Sequence, residues 1–575
     1  MTIPIPDKPM KRIAVIGAGA SGLTQIQQLL EIWQREEVNT DLEVVGFEVK
    51  DDVGGVWLTD DSPKKSIISH LPLSSKSPSR EIGIQETFSY PPEGSNPSPM
   101  YEGLRTNLPH DLMAFRGHPF PKDTPLFPNQ ELVLKYLQSY AEHYSLKRHI
   151  RFSTRVERLH LCAQSDQDGV DSKHSRRWMI ESHSLLTGEY KKEQFDNVVV
   201  GNGHYSDGWI PPIKGLSSFP GQILHSRFFH KASHYKGKTV LVVGSFASGG
   251  DISRLLATEN IDKYDSQTGI PQHEQISKED YIKVYVSSSG NTQYSATDGP
   301  WSSYITHLPL ISHLSPPKKE KPKGTIHFEA SEGNESDQDI QIQERPVKTL
   351  DNVDIIIFAT GYNFSFPFMR KEDKPWTQTR LSEKEVRKGE RENGDIWEEG
   401  GIKGQGVDGL DELLLFLKGD RSISFPTLSY QNVPFPLAQV QARLTAFLWA
   451  DLLPTFPDHP DLPPNPTNPY SQQPPSENGD STIRVDGNGK DVGIDPPEST
   501  STSTLTRKPR KVLQRIRHLV FGAPYEWTYS EYLMDLFREA DNNAGRATED
   551  YWKQIESFRR ERREDTGLRK RLLGY

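Results

Sequence analysis

The sequence predicts an α/β protein with two open, mainly parallel sheets, one unit inserted into the other. Short apolar, β-branched runs at 12–16 and 239–243 read as strands buried on both faces. Each runs straight into a glycine-rich turn, then into helical spacing, then into a second buried run, as a βαβ unit does. Two more apolar runs, 197–200 and 353–358, end in Gly201-Asn202-Gly203 and Ala359-Thr360-Gly361-Tyr362. Such turns put backbone amides at the carboxyl edge of a sheet, where ligands bind in open α/β folds.

In chain order, strand 12–16 enters Gly17-x-Gly19-x-x-Gly22, with Ser21 inside the turn, and then a helix whose apolar face is Leu23, Ile26, Leu29, Leu30 and Trp33. The first glycine permits the bend, the second lets backbone reach a pyrophosphate, and the third lets helix pack on strand. The helix N-terminus adds partial positive charge. Strand 42–48 ends in Glu48, whose carboxylate can accept both ribose hydroxyl hydrogens, so this is a dinucleotide site. Gly54-Gly55-Val56-Trp57 follows, a loop pressed against a ligand with Trp57 as a flat wall, which makes the guest FAD.

The second unit repeats the pattern from 239–243 through Gly244-Ser245-Phe246-Ala247-Ser248-Gly249, a helix at 252–256 and a strand at 282–286. Phe246 replaces the middle glycine and stands in the way of a pyrophosphate. The strand ends in Ser287-Ser288-Ser289 instead of an acidic residue. A carboxylate would repel a ribose 2′-phosphate that hydroxyls accept, so NADP is expected over NAD, with Lys283 or Arg227 as candidate cations. The domains expected are two Rossmann-like units: an FAD domain from 1–205 and 345–456, and an NADP domain at 206–344 inserted into it.

The segments 62–99, 316–346 and 370–403 read as loosely held surface decoration. Residues 457–506 are Pro-, Ser-, Thr- and Asn-rich and read as a disordered linker. A C-terminal helical segment, 507–575, follows, with order returning near Val512. Its mixed-charge run at 559–571 reads as a solvated helix face. At Asn432 to Gln441, Pro434 and Pro436 precede an apolar helix through Leu444 and Phe447, aimed to bring a helix N-terminus and Gln439 to a flavin carbonyl.

Composition closes off other classes. The 68 Lys+Arg against 78 Asp+Glu leave no basic field for nucleic acid. The single Cys162 excludes disulfides, CxxC redox pairs and multi-cysteine metal sites. No apolar run is long enough to cross a bilayer and no leader precedes the first strand, so a cytoplasmic protein is expected.

Tyr101-Glu102-Gly103-Leu104-Arg105-Thr106-Asn107-Leu108-Pro109, then Met113-x-Phe115 and Pro119-Phe120-Pro121, resembles the flavin-containing monooxygenase family, in its yeast and fungal branch. Further matches are Val200-Gly201-Asn202-Gly203-His204-Tyr205, Phe219-x-Gly221-x-x-x-His225-x-x-x-Phe229, Phe358-Ala359-Thr360-Gly361-Tyr362 and Pro434-Phe435-Pro436-Leu437-Ala438. The resemblance implies that NADPH reduces FAD, dioxygen forms a hydroperoxyflavin, and a sulfur or nitrogen nucleophile of a small molecule takes the distal oxygen. It implies FAD contacts at Leu104, Thr106, Asn107, Val156, Thr360, Gly361 and Gln439, beside Gly17, Gly19, Ser21, Gly22, Glu48, Gly55 and Trp57. It implies NADP contacts at Tyr205, Gly244, Ser245, Ser248, Gly249, Ser287 and Ser288, with Asp251 on the following helix turn. Asn107 matches the asparagine beside the isoalloxazine. Baeyer–Villiger monooxygenases are similar but carry Trp-Pro where this chain has Phe229-His230, which favours soft heteroatoms over ketones. His225 reads as a hydrogen-bonded link between domains and not as an acid or base. Baeyer–Villiger or biosynthetic N-oxidising chemistry, and a flavin-binding interaction protein with impaired turnover, stand as alternatives.

Overall fold

The computed structural model describes residues 9–59, 98–162, 177–261, 279–292, 294–329, 349–376, 409–453 and 519–565, with short pieces between them. Its first unit starts with β1 (Met10–Ile16), α1 (Ala20–Arg35), β2 (Asp41–Phe47), α2 (Gln130–His143), β3 (Ile150–Arg151) and β4 (Asn197–Val200). The chain then builds the second unit: β5 (Gln222–His225), β6 (Thr239–Val243), α3 (Ser248–Thr258), β7 (Lys283–Ser287), β8 (Ile305–Leu308) and β9 (Ile355–Phe358). It returns with β10 (Phe416–Leu417), β11 (Asp420–Ser424) and α4 (Pro434–Trp449), and closes with α5 (Tyr525–Asn543) and α6 (Ser557–Glu564).

The first sheet has the order β10-β11-β4-β1-β2-β3, with β10 antiparallel to β11 and the rest parallel. The second has the order β8-β7-β6-β9-β5 and is parallel throughout. In both, the strand carrying the glycine turn lies between the strand that follows it and a strand from later in the chain. The turn therefore opens at the point where strand order reverses, the ligand position of such sheets. The two-residue period of β1 sends Ile13 and Val15 into a core with α1 and α4, and Ala14 and Ile16 into another with Trp178 and Phe195.

Several expectations are corrected. The second sheet needs β9, so its unit runs past the expected boundary at 344 to at least Phe358. Segment 316–346 contains a sheet strand, Thr325–Phe328, and segment 370–403 begins with the buried Trp376 and ends at a strand, Ile402–Gly404. Residues 62–97, most of 457–506 and Val512 lie outside the described residues.

The C-terminal segment is a second correction. Phe521, Tyr525, Trp527, Tyr529, Phe537 and Trp552 are buried in the same core as Ile13 and α1. Main-chain bonds tie it in, with Tyr430 N donating to Leu519 O (2.6 Å) and Phe521 N to Tyr430 O (3.0 Å). Over α6 the run beginning at 559 turns arginines inward, while Glu561, Glu564 and Asp565 stay exposed. Arg559, 3% exposed, donates to Leu112 O (2.7 Å) and Ala114 O (3.1 Å), and Arg563 pairs with Glu526 at 2.6 Å. Carbonyls and a carboxylate inside the fold, not solvent, receive these guanidinium hydrogens.

Candidate active site

At the first turn Gly17 has φ +97°, and a Cβ there would lie 2.5 Å from Gly201 O. A Cβ on Gly22 would lie 1.9 Å from Gly17 O, so α1 packs on β1 only because both positions lack one. Gly19 caps α1 with no side-chain hydrogen bond, leaving the first-turn amides open to an anion. Gly55 closes on the turn: a Cβ on Gly19 would sit 3.5 Å from Gly55 Cα. Trp57 lies half-buried in the same loop, its carbonyl taking a bond from Gln130.

Glu48 is buried just past β2. One oxygen accepts from Ala18 N (2.6 Å) and the other from Lys50 N (2.9 Å). Burial pushes its carboxyl pKa up, while the backbone amides and Lys50 pull it down. Each oxygen keeps a lone pair for a ribose hydroxyl. Thr154 N donates to Glu48 O (2.8 Å), which brings the strand bearing the buried Val156 to this corner. Ser21 Oγ is bonded to Thr427 Oγ1 at 2.5 Å. Asn202 Oδ1 and Ser424 Oγ, at the carboxyl ends of β4 and β11, are buried polar atoms with no hydrogen bond among the described residues. Open amides, a carboxylate with free lone pairs and these unfilled atoms fit a dinucleotide.

Residues 101–107 form a strap between the units. Tyr101 donates its hydroxyl to Asp251 on the first turn of α3 (2.8 Å), and Glu102 N donates to His230 O (2.9 Å). Leu104 is half-buried. Thr106 is buried and anchored by Thr106 N to Pro128 O (3.0 Å) and its hydroxyl to Leu108 O (2.8 Å). Asn107 is exposed at the far end, and its side chain makes no hydrogen bond among the described residues, so it does not serve as a turn cap.

The second turn copies the first. Gly244 has φ +103° with a Cβ position 2.5 Å from Ala359 O, and a Cβ on Gly249 would lie 2.0 Å from Gly244 O. Phe246 is 44% exposed, and its ring stands edge-on to Tyr294 at 4.7 Å. Ser248 opens α3, and Ser245 donates to Gly290 O (3.0 Å). Tyr205 rests on the rings of His204 (4.4 Å) and Tyr362 (5.3 Å).

Four site expectations change. Ser287 is fully buried and gives its hydroxyl to Pro309 O (2.7 Å), while Ser288 is half-buried with its hydroxyl on Gly290 O (3.0 Å) and Ser289 is exposed. Lys283 stands at the amino end of β7, away from the ligand edge, and Arg227 follows β5 at the opposite side of the sheet, its guanidinium on Ser206 O. Ala359, just past β9, stands to Gly244 as Gly201 stands to Gly17, and Thr360 and Gly361 follow it beside the second turn. The Gln439 amide is spent on the main chain of Arg116, accepting from its N (2.7 Å) and donating to its O (3.0 Å). The N-terminus of α4 is also poor in donors, because Pro434 and Pro436 have no amide hydrogen and Val433 N donates to Glu526 (2.7 Å).

His225 is a structural link. Its Nε2 donates to Gly361 O (2.8 Å), its Nδ1 accepts from Arg227 N (3.2 Å), and burial lowers its pKa to about 4. Sequence reasoning missed Asn202, Ser424 and Thr427 in the first site. A polar residue at the carboxyl end of a buried strand, or within three positions of it, was the available signal. Among the described residues no cluster of His, Cys, Asp and Glu could hold a metal, and no helix is long and apolar enough to cross a membrane.

The profile of a family described as flavin-binding monooxygenase-like matches residues 10–72 and 78–263. The flavin-containing monooxygenase FMO GS-OX5 of Arabidopsis thaliana is 29% identical over 365 residues, 62% of this chain and 61% of that protein. The flavin-containing monooxygenase iboF of Amanita muscaria is 29% identical over 406 residues, 63% of this chain and 66% of its own length. The match thus spans a little under two thirds of these relatives. Among solved structures, S-allyl-L-cysteine S-oxygenase from Allium sativum shares the fold, with TM-score 0.55 and 19% identity over 98% of this chain and 93% of that one. Two glycine turns at two sheet switch points and the profile match agree: over residues 10–72 and 78–263 the chain is similar to the flavin-binding monooxygenase-like family.

Proposed function

We propose that the protein is an FAD- and NADPH-dependent monooxygenase that places one atom of dioxygen on a nucleophilic sulfur or nitrogen of a small molecule. The observation that carries this reading is the strap: Tyr101 is bonded beside the second turn, while Thr106 and Asn107 end on the first unit. One short segment thus touches the housing of both dinucleotides, as direct electron transfer between two bound guests requires.

Bound FAD, reduced by NADPH, supplies the activation of dioxygen. The chain's own groups bind and orient. The first-turn amides of α1 would take the FAD pyrophosphate and Glu48 the ribose hydroxyls, while the Gly244–Gly249 turn and Ser288 would take NADP. Asn107 offers an amide that donates and accepts without titrating, so it can hold a reacting oxygen without moving a proton. His225 keeps both ring nitrogens engaged and stays neutral, which removes it as a proton carrier.

The test starts with colour. The purified protein should be yellow, NADPH should bleach it without air, and labelled dioxygen should leave one labelled atom in the product from a panel of sulfides and amines. Asn107→Ala should keep the bleaching, lose product per NADPH several-fold and release more hydrogen peroxide. A preparation that takes up no FAD, or FAD that NADPH does not reduce, would end the reading. Unchanged coupling in Asn107→Ala would remove Asn107 from it.

A further inference from the structure

Behind the first glycine turn runs a buried chain of hydrogen bonds that begins on the C-terminal helix α5. Tyr529, fully buried, donates its hydroxyl to Leu413 O (2.7 Å) and accepts from Gln441 Nε2 on α4 (2.9 Å). Gln441 Oε1 accepts from Thr427 N (2.8 Å). The Thr427 hydroxyl gives its hydrogen to Pro426 O (2.8 Å), so in its 2.5 Å bond with Ser21 the serine is the donor. Ser21 lies inside the Gly17–Gly22 turn.

Thr427 has φ +57°, a left-handed conformation that β-branched residues rarely adopt. Such strain persists where surrounding bonds over-determine it, and it clusters at ligand sites. Here the bond that fixes its amide comes from Gln441, and the group that fixes Gln441 comes from the far end of the chain.

We propose that the C-terminal segment is a working part of the first dinucleotide site, with Tyr529 as a positioning residue that orients Ser21 through Gln441 and Thr427. The inference rests on the reading of that turn as the flavin site. With its hydrogen turned back to Thr427, Ser21 holds its side chain off the turn and leaves the main-chain amides of α1 to face the pyrophosphate. Cutting the chain of bonds at either end releases the same side chain, so the two ends act as one unit.

The experiment uses the full-length protein stripped of flavin, and reads FAD affinity from fluorescence quenching together with the melting temperature of the ligand-free protein. Tyr529→Phe keeps the ring and should weaken FAD about fivefold or more. Ser21→Ala should also weaken it, and the double variant should be no weaker than the worse single, because coupled residues are not additive. Thr427→Gly relieves the left-handed strain and should bind FAD more weakly while its ligand-free melting temperature holds or rises. A structural role alone would not produce that opposition. Thr548→Val, which removes another hydroxyl bond of the same segment (3.0 Å to Asp541), should leave FAD affinity within about twofold.

Multiplying factors in the double variant, or wild-type affinity in Thr427→Gly, would overturn the proposal. If Tyr529→Phe fails to fold, the affinity and melting temperature of Thr427→Gly decide between the two roles. A wild-type protein that binds no FAD would instead sink the flavin reading itself.

Discussion

The two glycine turns agree at two positions and part at the third. Gly17 and Gly244 share a left-handed backbone, with φ +97° and +103°, and a Cβ added at either would lie the same 2.5 Å from the carbonyl oxygen just past a neighbouring strand. A Cβ added at Gly22 or Gly249 would lie 1.9 or 2.0 Å from the carbonyl oxygen of the first glycine of its own turn. At the middle position one turn has Gly19, where an added Cβ would meet its nearest neighbour at an ordinary 3.5 Å, and the other has Phe246, turned out to solvent. The outer glycines are demanded by the fold, which needs them with or without a ligand. The protein itself makes no such demand at the middle position, so a glycine kept there answers to the guest. The second turn carries a further difference, Ala247 at φ +39°, a strain that the first turn lacks.

The largest effect should come from the positions the turns share. Gly22→Ala and Gly249→Ala each drive a methyl into a backbone carbonyl, and each should lower unfolding free energy by about 3 kcal/mol or more. Urea midpoints of the ligand-free protein measure this. A Gly249→Ala variant as stable as wild type would break the equivalence.

The middle position should behave in the opposite way. Gly19→Ala should leave the ligand-free melting temperature unchanged and weaken FAD by roughly 1.4–2.8 kcal/mol, one to two orders of magnitude. Phe246→Gly should change the NADPH KM by less than about threefold, because the ring already leans on Tyr294. A KM that falls tenfold would show Phe246 to be an obstruction.

This division explains what could be read from the chain. Strands with continuous β-branched runs were legible to within a residue or two, as at Thr239–Val243 and Asn197–Val200, because burial on both faces permits little else. The glycine turns were legible for the same steric reason. The role of 519–565 was not, because the spacing of Tyr532, Leu533 and Leu536 announces a helix without saying which core receives it. The inward arginines were misjudged because a guanidinium bound to main-chain carbonyls, as Arg559 is, has no partner visible in sequence. Gln439 and Ser287 looked like ligand contacts for a related reason: main-chain groups of the protein took up their bonds.

The smallest effect at neutral pH concerns the loops facing the two turns, each of which has a buried histidine beside it. His225 uses both ring nitrogens, one of them on Gly361 O, whereas both nitrogens of His204 lack a hydrogen bond among the described residues. Burial lowers both pKa values to about 4. A histidine held below its unfolded pKa near 6.5 contributes stability that is fully present above that value. The contribution is lost as pH falls toward 4, since the unfolded chain takes up the proton first. From pH 6.5 to 5 each should cost about 1.5 kcal/mol. His204→Phe forfeits no hydrogen bond, so it should flatten the acid limb of the stability curve and leave stability at pH 8 unchanged or higher. His225→Phe should lower stability at every pH, because it strands Gly361 O and Arg227 N as well. Urea midpoints from pH 8 to 5 separate the two. Parallel acid limbs in wild type and His204→Phe would mean that His204 titrates normally in the fold and that the two loops differ in more than the pairing of their histidines.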